Sequence, residues 1–313
     1  MTSLLDMFDT GMAQSYFSKL ISIDLELVCV DADPAMEVIY SDRILPLLTL
    51  PRLQHFWVNR CLGDSAYHPE EGIPPKTMNF SSISLVHSCL DCMTLTEIIL
   101  ASKRLKVFTY SVSVDIIENL ENTDPINTEE LIEALSCHAE TLNEAHISMK
   151  ERSRARAESV ERPTTFESFL PLRNLRYLDI EQAAIIDAPE LPESLKMLRI
   201  KTCNRPIFEL AEFLVKESRG RLCSLVAVKV APRSRPCTGM LGMEESAFTE
   251  ESLLDGRVFT EEPSKLAEFR EQVQRLETII HGANFKLYVE CVSYMFMSKR
   301  RDIPRAYSGT FLT

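Results

Sequence analysis

"LKMLRIKTC", residues 195–203, sets leucine at offsets 0 and 3, isoleucine at offset 5 and cysteine at offset 8. "LQHFWVNRC", residues 53–61, repeats the spacing with Leu53, Phe56, Val58 and Cys61. Offsets 3 and 5 differ by two, so in an extended chain their side chains share one face, while offsets 2, 4 and 6 share the other. A short strand, apolar on one side only, is predicted.

The template Leu-x-x-Leu-x-Leu, with any apolar residue accepted, matches at Leu20, Leu53, Phe80, Leu105, Leu142, Leu175, Leu195 and Leu225. The steps of 33, 27, 25, 37, 33, 20 and 30 residues average close to the ~20–29 of a leucine-rich repeat. Between the matches lie "PAMEVIYSDRILPLL", "CMTLTEIILAS", "NTEELIEALSCHAETL" and "IFELAEFLVKESRG", with apolar residues three and four apart as in helices. Asn127 or Thr128 is placed to cap the third of these, and Glu129 and Glu130 suit the positive end of its dipole. Later, "KLAEFREQVQRLETIIHG" reads as a helix and "NFKLYVE" as a final strand.

Alternating strands and helices with parallel pairing fit a doubly wound sheet or a solenoid. The first usually has longer, near-continuous apolar strands and a glycine-rich first turn. Here the strands are short and alternating, and glycine is scarce, at 9 of 313 residues. The expected fold is therefore α/β, a leucine-rich-repeat solenoid with a curved parallel sheet on the concave side and helices on the convex side. It is expected over residues 1–290, irregular, with insertions near 64–79, 151–168 and 231–264 and a C-terminal tail at 291–313. Offset 8 falls where the chain leaves the strand and turns toward the outer helix, its side chain pointing into a narrow interior that suits a small buried thiol, so Cys61 and Cys203 are expected to be wedges. In the third match Ser88 takes that position.

Acidic residues outnumber basic ones by 46 to 34, which disfavours nucleic acid and anionic membranes as partners. No apolar run reaches the ~18 residues that a membrane span needs. Nine cysteines, an odd number, and an N-terminus without a secretory pattern fit a reducing compartment, cytoplasmic or nuclear.

"LPRLQHFWVNRCLG", "ASKRLKVFTYS", "NTEELIEALSCHAETLNEAHI", "LPLRNLRYLDI" and "LPESLKMLRI", in that order, together with the late helix and strand, resemble the leucine-rich-repeat region of fungal F-box-like proteins. The likeness spans roughly residues 20–290 and rests on the order of the motifs. It implies a repeat arc that captures a substrate for a cullin ubiquitin ligase. An F-box module would dock such an arc on a Skp-type adaptor. The opening residues contain no leucine-proline-initiated F-box helices, so the expectation is that the F-box was lost or precedes Met1.

For chemistry, "HSCLDC" offers His87, Cys89 and Cys92, yet no second C-x-x-C completes a zinc site and the stretch runs into an apolar helix. G-x-S-x-G and H-E-x-x-H are both absent. No catalytic residue, cofactor or metal is expected. "RSRARAES" places arginines ahead of Ser159, a pattern for a basophilic kinase.

The candidate site is the outward strand face, at offsets 2, 4 and 6. It gives His55, Trp57 and Asn59, then Glu144, His146 and Ser148, then Tyr177, Asp179 and Glu181, then Met197, Arg199 and Lys201. Trp57, the one tryptophan, takes a position the repeat assigns to solvent, where an aromatic serves as an interface anchor unless the insertion at 64–79 folds over it. Asp179 and Glu181 are expected to pair with Arg199 and Lys201 across strands. The expected function is protein–protein interaction on this concave face, as a substrate-recognition arm related to F-box ubiquitin-ligase receptors. The alternatives are a non-ligase leucine-rich-repeat scaffold and an α/β enzyme.

Overall fold

The structure, a computed structural model, describes residues 17–26, 39–63, 73–112, 126–149, 165–203, 205–232, 241 and 263–289. Its strands are β1 (Ser22–Leu25), β2 (Ile39–Tyr40), β3 (His55–Asn59), β4 (Cys61–Leu62), β5 (Ser82–Val86), β6 (Val107–Ser111) and β7 (Glu144–Ser148). There follow β8 (Phe166–Ser168), β9 (Tyr177–Glu181), β10 (Ile185–Glu190), β11 (Met197–Cys203), β12 (Ala227–Pro232) and β13 (Lys286–Val289). The helices are α1 (Ser41–Leu48), α2 (Cys92–Ala101), α3 (Thr128–Ser136), α4 (Phe208–Ser218) and α5 (Pro263–Ile280). The fold is α/β, with a parallel sheet of nine strands in the order β1-β3-β5-β6-β7-β9-β11-β12-β13. Two compact units divide the chain, residues 1–178 with 189–192 and residues 179–188 with 193–313.

Each of the eight template matches begins a strand at its offset 2, from Ser22 to Ala227. The reason lies in the apolar triplets: from Leu53 through Val230, every residue at offsets 0, 3 and 5 is at most 2% exposed. Burying a leucine, isoleucine or phenylalanine side chain contributes roughly 1.5–3 kcal/mol, so three per strand hold each one apolar face down. The first match is weaker, with Leu20, Ile23 and Leu25 only half-buried.

In the first unit, neighbouring strands run parallel with no slip of register. Ser22 lies opposite His55, His55 opposite Ser82, Ser82 opposite Val107 and Val107 opposite Glu144. One backbone device recurs at every step. The carbonyl at offset 1 accepts from two successive N–H groups of the next repeat, as Gln54 does from Ser81 and Ser82 at 2.8 and 2.9 Å, and Lys106 from Asn143 and Glu144 at 2.8 and 3.1 Å. A strand that slipped by one residue would lose this pairing and turn its apolar face to water. In the second unit the Lys196 carbonyl accepts from Val226 and Ala227 in the same way, and Met197, Ala227 and Lys286 stand in register.

The cysteine of the opening pattern has a backbone cause. Offset 7 is left-handed in three repeats, with φ of 65° at Arg60, 47° at His87 and 55° at Thr202. Non-glycine residues occupy that region at a cost; here it turns the chain so that offset 8 points inward. Cys61, Ser88 and Cys203 are accordingly 0, 0 and 1% exposed. The Ser88 hydroxyl accepts from the Cys61 N–H and donates to the Val86 carbonyl, both at 3.0 Å, so it satisfies backbone groups on two turns. Burial pushes the Cys61 thiol well above the ordinary thiol range, which fits a wedge and not a nucleophile.

Helices fill several of the intervals. Asp91 caps α2 by accepting from the Thr94 N–H at 2.8 Å and the Thr94 hydroxyl at 2.7 Å. Asn127 caps α3 by accepting from the Glu129 N–H at 3.0 Å. Helix α2 packs on α3, and α5 packs on α4, with the Arg275 guanidinium 4.2 Å from the centre of the Phe208 ring.

Two intervals depart from strand–helix alternation. Within "PAMEVIYSDRILPLL" the described part opens as strand β2 and becomes helical only at Ser41. Between β9 and β11 there is a single 3₁₀ turn, Gln182–Ala184, and strand β10 in place of a helix. The sequence explains the second: "IIDAPELP" brings two β-branched residues and two prolines, which favour extended chain over helix. Most of the expected insertions, the tail at 291–313 and Ser159 lie outside the described residues.

Gly63 follows β4 where the next repeat passes closely. A Cβ there would stand 3.0 Å from the Asp91 carboxylate, 3.1 Å from its backbone nitrogen and 3.3 Å from the Leu90 Cα. Gly63→Ala is expected to destabilise the protein by about 1–2 kcal/mol, because two of those neighbours are backbone; a chemical denaturation midpoint equal to the parent's would refute the close approach.

Candidate functional site

In the first unit the outward strand positions form three rows. Offset 4 carries Asp24, Trp57, Ser84, Thr109 and His146, each opposite the next. Offset 2 carries His55, Ser82, Val107 and Glu144, and offset 6 pairs Asn59 with Val86 and Ser111 with Ser148. Alternation places His55 and Glu144 in water and leaves Trp57, Asn59, His146 and Ser148 half-buried. Residues 64–72, the greater part of the insertion expected to fold over Trp57, lie outside the described residues.

The rows have relief. Ser84 and Thr109 are small, whereas Trp57 stands at one side and His146 at the other. At ~4.8 Å per strand, three steps put the backbones that carry these two about 14 Å apart, with the two strands of small side chains between them. The far wall is built from contacting groups: His146 lies 4.9 Å from the Tyr177 ring, centre to centre and tilted by 39°, and its Nε2 is 3.8 Å from Glu144 Oε2. Tyr177 is held there by its N–H, which donates to the Asn143 carbonyl at 3.0 Å. The structure thus brings together Glu144, His146 and Tyr177, and sets His55, Trp57 and Asn59 on β3 across the trough.

The remaining expected residues belong to the second unit. Asp179 and Glu181 were expected to face outward; both are only 2% exposed. For Asp179 the reason is geometric, since its Oδ2 lies 2.9 Å from Lys201 Nζ and 3.4 Å from Arg199 Nη1, whose side chains cover it. The cross-strand pairing read from the sequence is therefore present at Asp179. Asp179→Ala is expected to cost about 1–2 kcal/mol, since two cations remain side by side but each is about one third exposed to water. Thermal melts should show the loss shrinking as salt is raised, and a salt-independent loss would point to packing instead.

"HSCLDC" is dispersed by the fold. His87 is exposed on its left-handed turn, Cys89 is buried, and Cys92 opens α2, where its thiol donates to Glu130 Oε2 at 3.3 Å. Burial, chiefly, raises the Cys92 thiol above its ordinary range. Among the described residues no group of three or more His, Cys, Asp or Glu side chains is placed to hold a metal ion, and no helix is long and apolar enough to cross a membrane.

Sequence reasoning missed His138. It is 4% exposed, and it joins three elements. Its Nδ1 accepts from the Leu105 N–H at 3.4 Å, and its Nε2 reaches the Ile99 carbonyl at 2.9 Å. Because a carbonyl only accepts, the ring is the neutral Nε2–H tautomer. His138 and Cys137 line a cleft of about 450 Å³ with Lys76, Lys103, Glu140 and Arg173. Both ring nitrogens are committed to the backbone, so the histidine cannot serve its thiol neighbour as a base in this geometry. The usable signal was a polar residue three or four places before the leading leucine of a repeat, as with Ser102 before Leu105 and His138 before Leu142. Ser102, fully buried, likewise donates to a backbone carbonyl, that of Phe80, at 2.8 Å.

Comparison with protein-family models, with curated proteins and with solved structures finds no match to this chain.

Proposed function

We propose that the chain is a leucine-rich-repeat solenoid that binds another protein on its strand face, without catalysis of its own. Its role in this reading is substrate recognition related to F-box ubiquitin-ligase receptors, in the cytoplasm or nucleus. The observation that carries the proposal is the trough of the first unit. A row of in-register strands spends leucine and isoleucine on one side, yet on the other sets Trp57 and the His146–Tyr177 pair around a floor of Ser84 and Thr109. Aromatic side chains supported on a sheet lose little conformational freedom when they are covered, which is why they recur as interface anchors. The strands' chain-order succession and the recurrent offset-1 carbonyl support the solenoid reading.

The test is the triple variant Trp57→Ala, His146→Ala and Tyr177→Ala, compared with the parent by quantitative affinity purification from the native cell. Two anchors of about 2 kcal/mol each predict loss of a specific bound protein by at least a hundredfold, with the circular dichroism of the chain unchanged. An identical set of bound proteins would refute the proposal. Retention of a Skp-type adaptor in the same purification separates a ligase receptor from a scaffold that shares the arc.

A further inference from the structure

The cleft beside His138 inverts the charge balance of the chain around it. The sequence has 34 basic and 46 acidic residues, yet this space of about 450 Å³ is lined by Lys76, Lys103 and Arg173 against one carboxylate, Glu140. All of it belongs to the first unit. Lys103, Glu140 and Arg173 each stand two places before the leading leucine of a repeat, so the cleft lies at the edge where the strands begin and not on the trough. None of the three cations has an ion-pair partner among the described residues.

Two of the cations are held in place without being neutralised. Lys103 Nζ donates to Asn79 Oδ1 at 2.8 Å, and Asn79 Nδ2 in turn donates to the Pro51 carbonyl at 2.9 Å. Lys76 stands on left-handed backbone, with φ of 55°, and its N–H donates to the Leu100 carbonyl at 2.9 Å. A non-glycine residue holds that conformation at a cost. The helix that ends here does not account for the charges. One cation near the C-terminal end of α3 would complement its dipole, but the carbonyls of Ala134, Leu135 and Ser136 already accept from the N–H groups of Cys137, His138 and Ala139. Three like charges around one space repel each other and attract an anion.

The lining also defines the rest of the ligand. Among the described residues the His138 ring is the one aromatic group of the cleft, and no long aliphatic side chain joins it, so little is offered to a nucleic-acid base or a lipid tail. Glu140 Oε2 lies 3.3 Å from Asn174 Nδ2, and its Oε1 accepts from no described group. A carboxylate only accepts. It repels a phosphate and suits a hydroxyl, so an anion that also carries hydroxyl groups satisfies both sides of the cleft. The volume falls within the roughly 300–1,000 Å³ of small-molecule sites.

We propose that this cleft binds a compact hydroxylated phosphate of the sugar-phosphate class, with its phosphate oxygens on Lys76, Lys103 and Arg173 and a hydroxyl donating to Glu140. The site is separate from the protein-binding trough and does not rest on that reading.

The experiment is isothermal titration calorimetry of the full chain with glucose 6-phosphate at about 50 mM salt, where exposed charges are little screened. Glucose should not bind, and inorganic phosphate should bind about fivefold more weakly or worse, since it lacks the hydroxyls. The double variant Lys103→Gln and Arg173→Gln should lose about tenfold or more in affinity for glucose 6-phosphate. The control pair Lys216→Gln and Lys286→Gln removes the same charge from exposed positions of the second unit and should bind like the parent. Glu140→Ala should lower the preference for glucose 6-phosphate over inorganic phosphate, because it removes the hydroxyl acceptor and the repulsion together. The Trp57 triple variant should bind the sugar phosphate normally, so failure here and failure of the trough are distinguishable. No binding at millimolar glucose 6-phosphate, equal losses in the two double variants, or equal affinity for inorganic phosphate, which would mean an adventitious ion only, would overturn the proposal. So would tighter binding of a phosphoserine peptide, because the phosphate would then belong to a partner protein.

Discussion

Tyr110→Ala is expected to destabilise the protein by about 5 kcal/mol. The side chain sits at offset 5 of the fourth repeat, is fully buried and ranks with Phe56, Phe80 and Phe108 among the largest such groups. Its strand position lies opposite Leu85 on one side and Ile147 on the other, so the cavity left by alanine opens between three repeats. Truncating a buried aromatic costs about 3–5 kcal/mol. A second loss is specific to tyrosine: the phenolic oxygen accepts from the Leu90 N–H at 3.2 Å, and a buried amide left without a partner costs about 1–3 kcal/mol. Tyr110→Phe separates the two contributions, since it keeps the ring and removes only the hydroxyl; about 1–2 kcal/mol is expected for it. Urea denaturation of both variants measures the pair. Equal losses would mean that the ring contributes nothing beyond its hydroxyl, and the burial account of the repeat would fail.

The same residue shows how far the sequence carried the fold. "LKVFTY" announced a strand by its spacing, and the strand, its inward face and its place beside its neighbours followed from local alternation and burial. Those are properties of a few adjacent residues, which is why each of the eight template matches coincides with a strand. What the tyrosine hydroxyl does depends on Leu90, in the preceding repeat, and nothing within residues 105–110 announces it. The left-handed turns at Arg60, His87 and Thr202 were hidden for a similar reason. None of these is glycine, so the usual marker of that backbone region was absent, and only the inward cysteine or serine one place later betrayed it. Strand β10 was missed because a template tuned to strand–helix steps has no place for a second strand within a step of 20 residues.

The candidate faces were legible in part. Row membership follows from the period of two, so Trp57 and His146 could be assigned to one side from the sequence. That Tyr177 rests against His146 and that Lys201 comes within 2.9 Å of Asp179 depends on rotamers and on register between repeats.

His138→Ala should approach Tyr110→Ala in effect, at about 3–5 kcal/mol. The imidazole bridges the Leu105 N–H at the head of one repeat and the Ile99 carbonyl near the end of α2, and alanine leaves both groups without a partner. The histidine also makes stability depend on pH, with a sign that can be worked out. Burial, with the Ile99 carbonyl opposing and the Lys76 charge adding to it, holds the imidazole below its ordinary value of 6.5. The unfolded chain therefore binds this proton more readily than the folded one, and stability rises with pH through that window. His138's contribution is full above about pH 6.5 and is lost as pH falls from there toward the lower folded value. Protonation has a structural consequence too, because Nδ1–H would then face the Leu105 N–H, donor against donor. His138→Gln provides the comparison: its cost relative to the parent should be larger at pH 7.5 than at pH 5.5, by equilibrium denaturation. A cost that is the same at both values would mean that the ring does not titrate differently on folding, and the neutral bridge would have to be abandoned.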